Sequence, residues 1–204
     1  MLDAGAARIL GRSLTADERS DLHKYLKLLL KWQRVQRLLG SDDPEWIVVH
    51  VILDSLLFLR LIRPDAKRIM DLGAGAGVPG VPLKIVRRDA EVVLVEARQR
   101  RASFLSEVVR QLGLPGCSVV ADRAEAVAGR YAGTFDVVVM RCAGAPASLM
   151  PLALSFVGPG GSVVMSGPPT EVSSTRGEWG EWVDVDGVAP GERRRFLVVA
   201  KARG

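Results

Sequence analysis

Asp71, Glu96 and Arg141 are charged side chains whose surroundings in this sequence suggest chemistry. Asp71 opens the stretch DLGAGAGVPG, residues 71–80, where Gly73, Gly75, Gly77 and Gly80 strip side chains from the backbone. Glycine permits positive φ in a tight turn and lets a ligand lie against the backbone itself. Glu96 ends the next apolar run, EVVLVE, where a carboxylate can accept hydrogen bonds from both hydroxyls of a ribose. Arg141 ends a later run, FDVVVMR, at what should be the carboxyl end of a strand. Parallel sheets bind ligands at that end, and the planar fork of an arginine suits orienting one.

The spacing admits two nucleotide cofactors. Gly75-Ala-Gly77-Val-Pro-Gly80 fits G-x-G-x-x-G with Glu96 placed 21 residues beyond Gly75, as in nicotinamide dinucleotide sites. The overlapping D-x-G-x-G-x-G, from Asp71 to Gly77, favours S-adenosylmethionine instead. A pyrophosphate would repel an acid beside the turn, whereas the amino group of an amino-acid tail would be attracted to it. The segment VGPGGSVVMSG, 157–167, supports the same choice, with a helix end, a Gly-Pro-Gly-Gly turn and a fifth strand expected. A chain of 204 residues also leaves little length for the separate substrate domain of most dehydrogenases. On this reading the glycines make room for the methionine part of S-adenosylmethionine.

Other chemistries find little support. Two cysteines and two histidines form no CxxC pair and no metal-ligand cluster, so no metal is expected and a reducing, cytoplasmic setting fits. Cys142 is the one candidate nucleophile near the fourth strand end, and it lacks the proline neighbour of cytosine-C5 methylases; a small buried residue is its expected role. Arg8 and Arg12 interrupt any secretory signal, and the most apolar stretch, 46–62, carries His50, Asp54 and Arg60. It is read as a buried helix, and no membrane partner is expected.

The elements around these residues follow from periodicity. Thr15-Ala-Asp-Glu18 is a capping box that should open a helix running to about Gly40. Leu22, Leu26 and Leu29 share one face of it, while Lys24, Lys27, Lys31 and Arg34 form a cationic stripe able to lie along a phosphate backbone. A formal net charge of +5 agrees with a polyanionic partner. Asp43-Pro44 should open the second helix, 45–62, so that two helices precede the rest. Strands are then expected at 68–72, 91–97, 118–122, 135–141 and 162–166, with helices at 79–88, 98–112, 123–128 and 146–156. Such alternation predicts an α/β fold with a mostly parallel sheet. The runs EWVDVDG and RRRFLVVAKA should close its edge as an antiparallel hairpin. The chain divides into a helical N-terminal extension, 1–63, and a cofactor-binding unit, 64–204.

Beyond these local patterns, the segment DLGAGAGVPGVPLKIVRRDAEVVLVEARQRRASFLSEVVRQLGL resembles the ribosomal RNA small-subunit methyltransferase G family, also called glucose-inhibited division protein B. Asp71 to Leu83 match that family's D-x-G-[ST]-G-x-G-x-P-G-[IV]-P-L, with Pro79 and Pro82 the most specific part. Arg100-Arg101 and Phe104-Leu105 match its basic pair and F-L-x-x-V helix. DRAEAV, 122–127, and FDVVVMRCAG, 135–144, continue the likeness. The resemblance implies a Rossmann-like class I methyltransferase fold, and methyl transfer from S-adenosylmethionine to N7 of a guanine in small-subunit ribosomal RNA. It implies cofactor contacts by Gly73, Val78, Ala124, Glu125 and Arg141, beside Asp71, Gly75 and Glu96, with Arg141 the catalytic candidate. Lys24, Lys27, Lys31, Arg34, Arg100, Arg101 and Arg123 are the candidates for RNA contact, with ribosomal RNA or the small subunit as partner and a monomer favoured.

Some positions depart from the family pattern. W-N-x-x-x-N-L-T reads WQRVQRLLG here, R-H-x-L-D-S reads His50-Val51-Ile52-Leu53-Asp54-Ser55, and Met140 and Ser166 stand where serine and lysine are expected. Alternatives therefore remain: a methyltransferase for another RNA site or a small molecule, or an RNA-binding module that holds the cofactor without turnover.

Overall fold

The computed structural model describes residues 1–141, 146–167, 179–189 and 191–202, without the side chains of 146–148. Helix α1 (Leu2–Leu10) comes first, burying Leu2, Ala6 and Ile9 along one face. It adds a helix to the two expected from sequence. Helix α2 (Ala16–Gln36) starts as its capping box dictates: Thr15 Oγ1 accepts from the Glu18 amide at 3.2 Å and Glu18 Oε2 accepts from the Thr15 amide at 2.8 Å. Arg12 clasps the same carboxylate with two bonds of 2.7 Å and holds it below the usual glutamate range.

The helix stops short of Gly40. Gln33 donates to the Leu39 carbonyl and accepts from the Leu39 amide, both at 2.8 Å, which replaces helical bonds and folds residues 37–39 back; Arg37 takes a left-handed φ of 41°.

The second expected helix is present but interrupted. Asp43 caps α3 (Pro44–Ile47) through the amides of Glu45 and Trp46. A π-helical segment, Val48–Leu53, then widens the turn before α4 (Asp54–Leu56) and a 3₁₀ turn, Leu57–Arg60. Such bulges shift carbonyls away from their usual partners and often mark functional sites.

Seven strands follow: β1 (Arg68–Leu72), β2 (Glu91–Val95), β3 (Cys117–Val120), β4 (Phe135–Met140), β5 (Val157–Ser166), β6 (Glu181–Asp186) and β7 (Arg193–Ala200). Their order is β3-β2-β1-β4-β5-β7-β6, with β1 to β5 parallel and β7 antiparallel to both β5 and β6. The expected hairpin thus closes the edge, with its second strand inside its first. Helices α5 (Gly80–Val86), α6 (Gln99–Leu112), α7 (Ala124–Tyr131) and α8 (Pro146–Phe156) cross between strands.

One strand boundary corrects the sequence expectation. Gly-Pro-Gly-Gly, expected as a turn, lies inside β5 as an irregular stretch, where Phe135 pairs with Val157 and Val137 with Ser162. A Cβ on Gly161 would sit 2.6 Å from the Asp136 carbonyl, so only a bare backbone fits against β4 there.

The sheet is covered on both faces. Ile69, Val92, Leu94, Val137 and Val139 pack with α1, α2, the 44–60 segment, α5 and α6, whereas Met70, Val93, Val138 and Met165 pack with α7 and α8. The helical extension therefore shares its core with the sheet. Phe58 meets Phe196 of β7 edge to face at 4.9 Å between centroids, and it is almost wholly buried. Phe58→Ala should cost about 3–5 kcal/mol. Denaturant unfolding followed by circular dichroism should show one transition displaced as a whole.

Candidate active site

The glycine turn begins where β1 ends, and carboxylates hold it from beneath. Asp71 is completely buried, and its Oδ2 accepts from the Gly80 amide at 2.7 Å. That bond anchors the first turn of α5 to the end of β1. Its Oδ1 has no hydrogen-bond partner among the described residues. Burial, reinforced by the nearby Glu96 carboxylate and opposed by the Gly80 amide, pushes the Asp71 carboxyl up to about 7. Glu96 uses both oxygens on backbone: Oε2 accepts from Gly75 N at 2.9 Å and Oε1 from Arg98 N at 2.7 Å. Each of those oxygens keeps a second lone pair for a ligand.

A third anchor comes from α2, and no local pattern in the residues points to it. The Tyr25 hydroxyl, fully buried, donates to the Ala76 carbonyl at 2.6 Å. Burial holds its phenol protonated by pushing its pKa up. Seen from the turn, the amides of Gly73 and Ala74 both donate to the Val95 carbonyl at 2.9 Å, tying β1 to β2.

The glycines divide into two kinds. A Cβ on Gly77 would meet Val81 at 2.6 Å and Leu105 at 3.1 Å, and one on Gly80 would meet Leu94 at 2.4 Å and Asp71 Oδ2 at 2.6 Å. Those two make room for the protein's own packing, which corrects the expectation that all four clear space for a cofactor. Gly73, with φ 76°, is exposed and a Cβ there would meet nothing within 4 Å. It marks the open side of the cradle. The fit to S-adenosylmethionine rests on that open turn, on the lone pairs of Glu96 and on the unpartnered buried oxygen of Asp71.

The remaining expected cofactor residues surround this cradle unevenly. Val78 is buried within the turn, and its amide donates to the Ala74 carbonyl at 3.0 Å. Ala124 and Glu125 begin α7, half-buried and exposed respectively, beyond the end of β3. Arg141 follows β4 and is half-buried. Its Nη2 donates to the His50 carbonyl, which the π-helical segment turns toward it. Burial draws its pKa down and Asp54 opposes that shift, and a guanidinium in this setting stays protonated at neutral pH.

An ion-pair cluster that sequence reasoning missed lies beside Arg141. Arg194 Nε reaches both oxygens of Asp54 at 3.2 Å, its Nη1 lies 2.6 Å from Glu192, and its Nη2 lies 3.2 Å from His50 Nδ1. It joins the start of β7 to the helical extension.

The candidate RNA contacts separate into groups. Lys27, Lys31 and Arg34 are exposed along α2, as the stripe predicts, and Arg100 and Arg123 are exposed as well. Lys24, also exposed, shares Asp21 with Arg88. Arg101 is half-buried with its Nη1 placed 3.6 Å from where a Cβ on Gly75 would be, so it lies against the glycine turn. Helix α2 packs on α6, and Gln36 donates to the Arg100 carbonyl at 3.4 Å. Cys142 lies outside the described residues. Among the described residues no cluster of metal-ligating side chains occurs, and no helix is long and apolar enough to cross a membrane.

Asp71 makes a pH prediction. With its folded-state pKa near 7, the native protein keeps a proton that the unfolded chain releases near pH 4. This group therefore lowers stability progressively as pH rises from about 4 to 7. Asp71→Asn should remove that part of the slope, as read from urea unfolding at pH 5 and pH 8.

Comparison with known proteins places the chain in a family. The model for rRNA small subunit methyltransferase G matches residues 18–169. A ribosomal RNA small subunit methyltransferase G of Sorangium cellulosum (strain So ce56) is 38% identical over 174 residues, covering 83% of this chain and 73% of that protein. The cofactor-bound Rv0187 structure from MTB superposes with a TM-score of 0.63 at 15% identity, covering 90% of this chain and 91% of its own. A SAM dependent methyltransferase from Aquifex aeolicus superposes with a TM-score of 0.55 at 15% identity, over 78% of this chain and 94% of its own. These likenesses show a class I methyltransferase fold, and the extent of the family match shows more: the chain belongs to the rRNA small subunit methyltransferase G family, whose cofactor is S-adenosylmethionine.

Proposed function

We propose that the protein transfers the methyl group of S-adenosylmethionine to N7 of a guanine in small-subunit ribosomal RNA. The observation that carries this reading is the cradle, an open glycine turn with Glu96 at its rim, set beside Arg141 at the adjacent strand end, in a chain of this family. S-adenosylmethionine supplies a methyl group already activated on a sulfonium sulfur.

The protein then needs alignment more than acid–base help. Guanine N7 offers a lone pair and carries no proton, so no general base is required. The site agrees with that demand. Asp71 is buried under the turn, Glu96 is committed to amides, and Arg141 offers only donors. Glu96, with Gly73, Gly75 and Val78, would hold the cofactor, while Ala124 and Glu125 would border its adenine side. Arg141, set by the His50 carbonyl, would orient the guanine or the cofactor through its remaining donors.

The exposed cations of α2 would contact the RNA backbone, together with Arg100 and Arg123. Charge on that scale suits a cytoplasmic partner as large as the small subunit or its RNA, met by one copy of the chain. Purified small-subunit RNA incubated with the protein and S-adenosylmethionine, then digested to nucleosides for mass spectrometry, should yield 7-methylguanosine. Methyl groups on cytosine or on an exocyclic amine would overturn the reading.

Two further outcomes follow from the same site. Glu96→Ala should weaken S-adenosylmethionine binding tenfold or more in calorimetry, a loss of about 1.4 kcal/mol or greater. RNA affinity should fall steeply with salt, with a log–log slope of roughly 3 or more in magnitude for several phosphate contacts. Substituting Lys27 and Lys31 with alanine should flatten that slope in a filter-binding titration.

A further inference from the structure

The segment 44–53 departs from its family's pattern and yet stands beside Arg141. Where R-H-x-L-D-S is expected, this chain has His50-Val51, and Val51 is 1% exposed, turned into the core. The histidine position of the family pattern therefore faces inward here. His50, one residue earlier, is half-buried on the π-helical segment, and its ring lies 5.1 Å from that of Trp46, tilted by 44°. Trp46 is 36% exposed, with Met1 and Val35 the other exposed large apolar side chains among the described residues.

This aromatic pair is held in place from several sides. Asp43 accepts the amides of Glu45 and Trp46 at 3.1 and 3.3 Å, which fixes the start of α3. Arg141 donates to the His50 carbonyl, and Arg194 lies 3.2 Å from His50 Nδ1 while bound to both Asp54 oxygens. A solvent-facing tryptophan is thus mounted on the residue that positions Arg141. The guanidinium groups of Arg141 and Arg194 are balanced by the carboxylates of Asp54 and Glu192, so this cluster fixes geometry, and the aromatic face favours a planar ligand. Unpaired RNA fits this face, since its bases stack on aromatic side chains while its phosphates seek cations, and the exposed Lys27, Lys31 and Arg34 lie on α2, which packs on α3.

We infer that Trp46, backed by His50, is a stacking shelf for an unpaired nucleobase of the RNA substrate, placed beside the target guanine. It stands in for polar residues that this chain lacks in the same segment. The inference rests on the RNA-methyltransferase reading for the identity of the substrate. Stacking tolerates any base, so the shelf adds affinity and leaves the choice of methylated atom to the cofactor and Arg141.

The test separates binding from catalysis. Fluorescence anisotropy would follow labelled single-stranded oligoadenylate and, in parallel, a duplex RNA of equal length, on the wild type, Trp46→Ala and Trp46→Phe. Trp46→Ala should weaken oligoadenylate binding roughly tenfold, whereas Trp46→Phe, which keeps a ring, should stay near wild type. Duplex binding, S-adenosylmethionine affinity and the thermal midpoint should be unchanged in both. In methyl-transfer assays Trp46→Ala should raise KM for small-subunit RNA with little change in kcat. Oligoadenylate binding by Trp46→Ala equal to wild type, or an equal loss for duplex and single strand, would overturn the shelf. If the wild type transferred no methyl group to RNA, the functional reading would fall, while the anisotropy result would still decide the shelf.

Discussion

A turn made largely of glycine has no side chains with which to hold its own shape, so the site depends on what grips its backbone. Three buried groups do this. Asp71 takes the Gly80 amide, Glu96 takes the Gly75 amide, and the Tyr25 hydroxyl gives its proton to the Ala76 carbonyl. Each bond is made in a desolvated setting, where an unpaired polar partner would cost about 1–3 kcal/mol. One grip comes from the end of β1, one from the residue that follows β2, and the third from α2. The shape of the cradle is therefore a property of the sheet and the helical extension together.

That dependence links the candidate RNA surface to the candidate cofactor site. Helix α2 turns Tyr25 inward to the glycine turn and Lys27, Lys31 and Arg34 outward to solvent. The same rigid rod thus carries the anchor of one site and the cations of the other. The 44–60 segment, in turn, sits over the end of β4 through Arg141 and over the start of β7 through Asp54 and Arg194. The reacting groups would meet between two parts of the helical extension, each fastened to the sheet by buried or half-buried polar bonds.

Much of this was legible in the residues themselves. Alternating strand and helix periods, the Thr15 capping box, the Asp43-Pro44 helix start and the closing hairpin all rest on local chemistry, and the structure contains each. Glu96 was placed at the turn by spacing alone. What was hidden depends on contacts across the chain. Gly77 and Gly80 look like cofactor glycines until Val81, Leu105 and Leu94 are seen filling their space. The end of α2 is set by the side chain of Gln33, and the 44–60 helix is broken by a π turn whose His50 carbonyl accepts from Arg141. Arg194 and Asp54 are 140 residues apart in sequence, so no local pattern could pair them.

A glycine turn gripped in this way is proposed as the cradle for S-adenosylmethionine. Titration calorimetry of the purified protein with S-adenosylmethionine, S-adenosylhomocysteine and NADH in parallel tests it most directly. The protein should bind the two sulfur compounds saturably in the micromolar range and should not bind NADH. Binding of NADH alone would contradict this, because the carboxylates beneath the turn would then be facing a pyrophosphate.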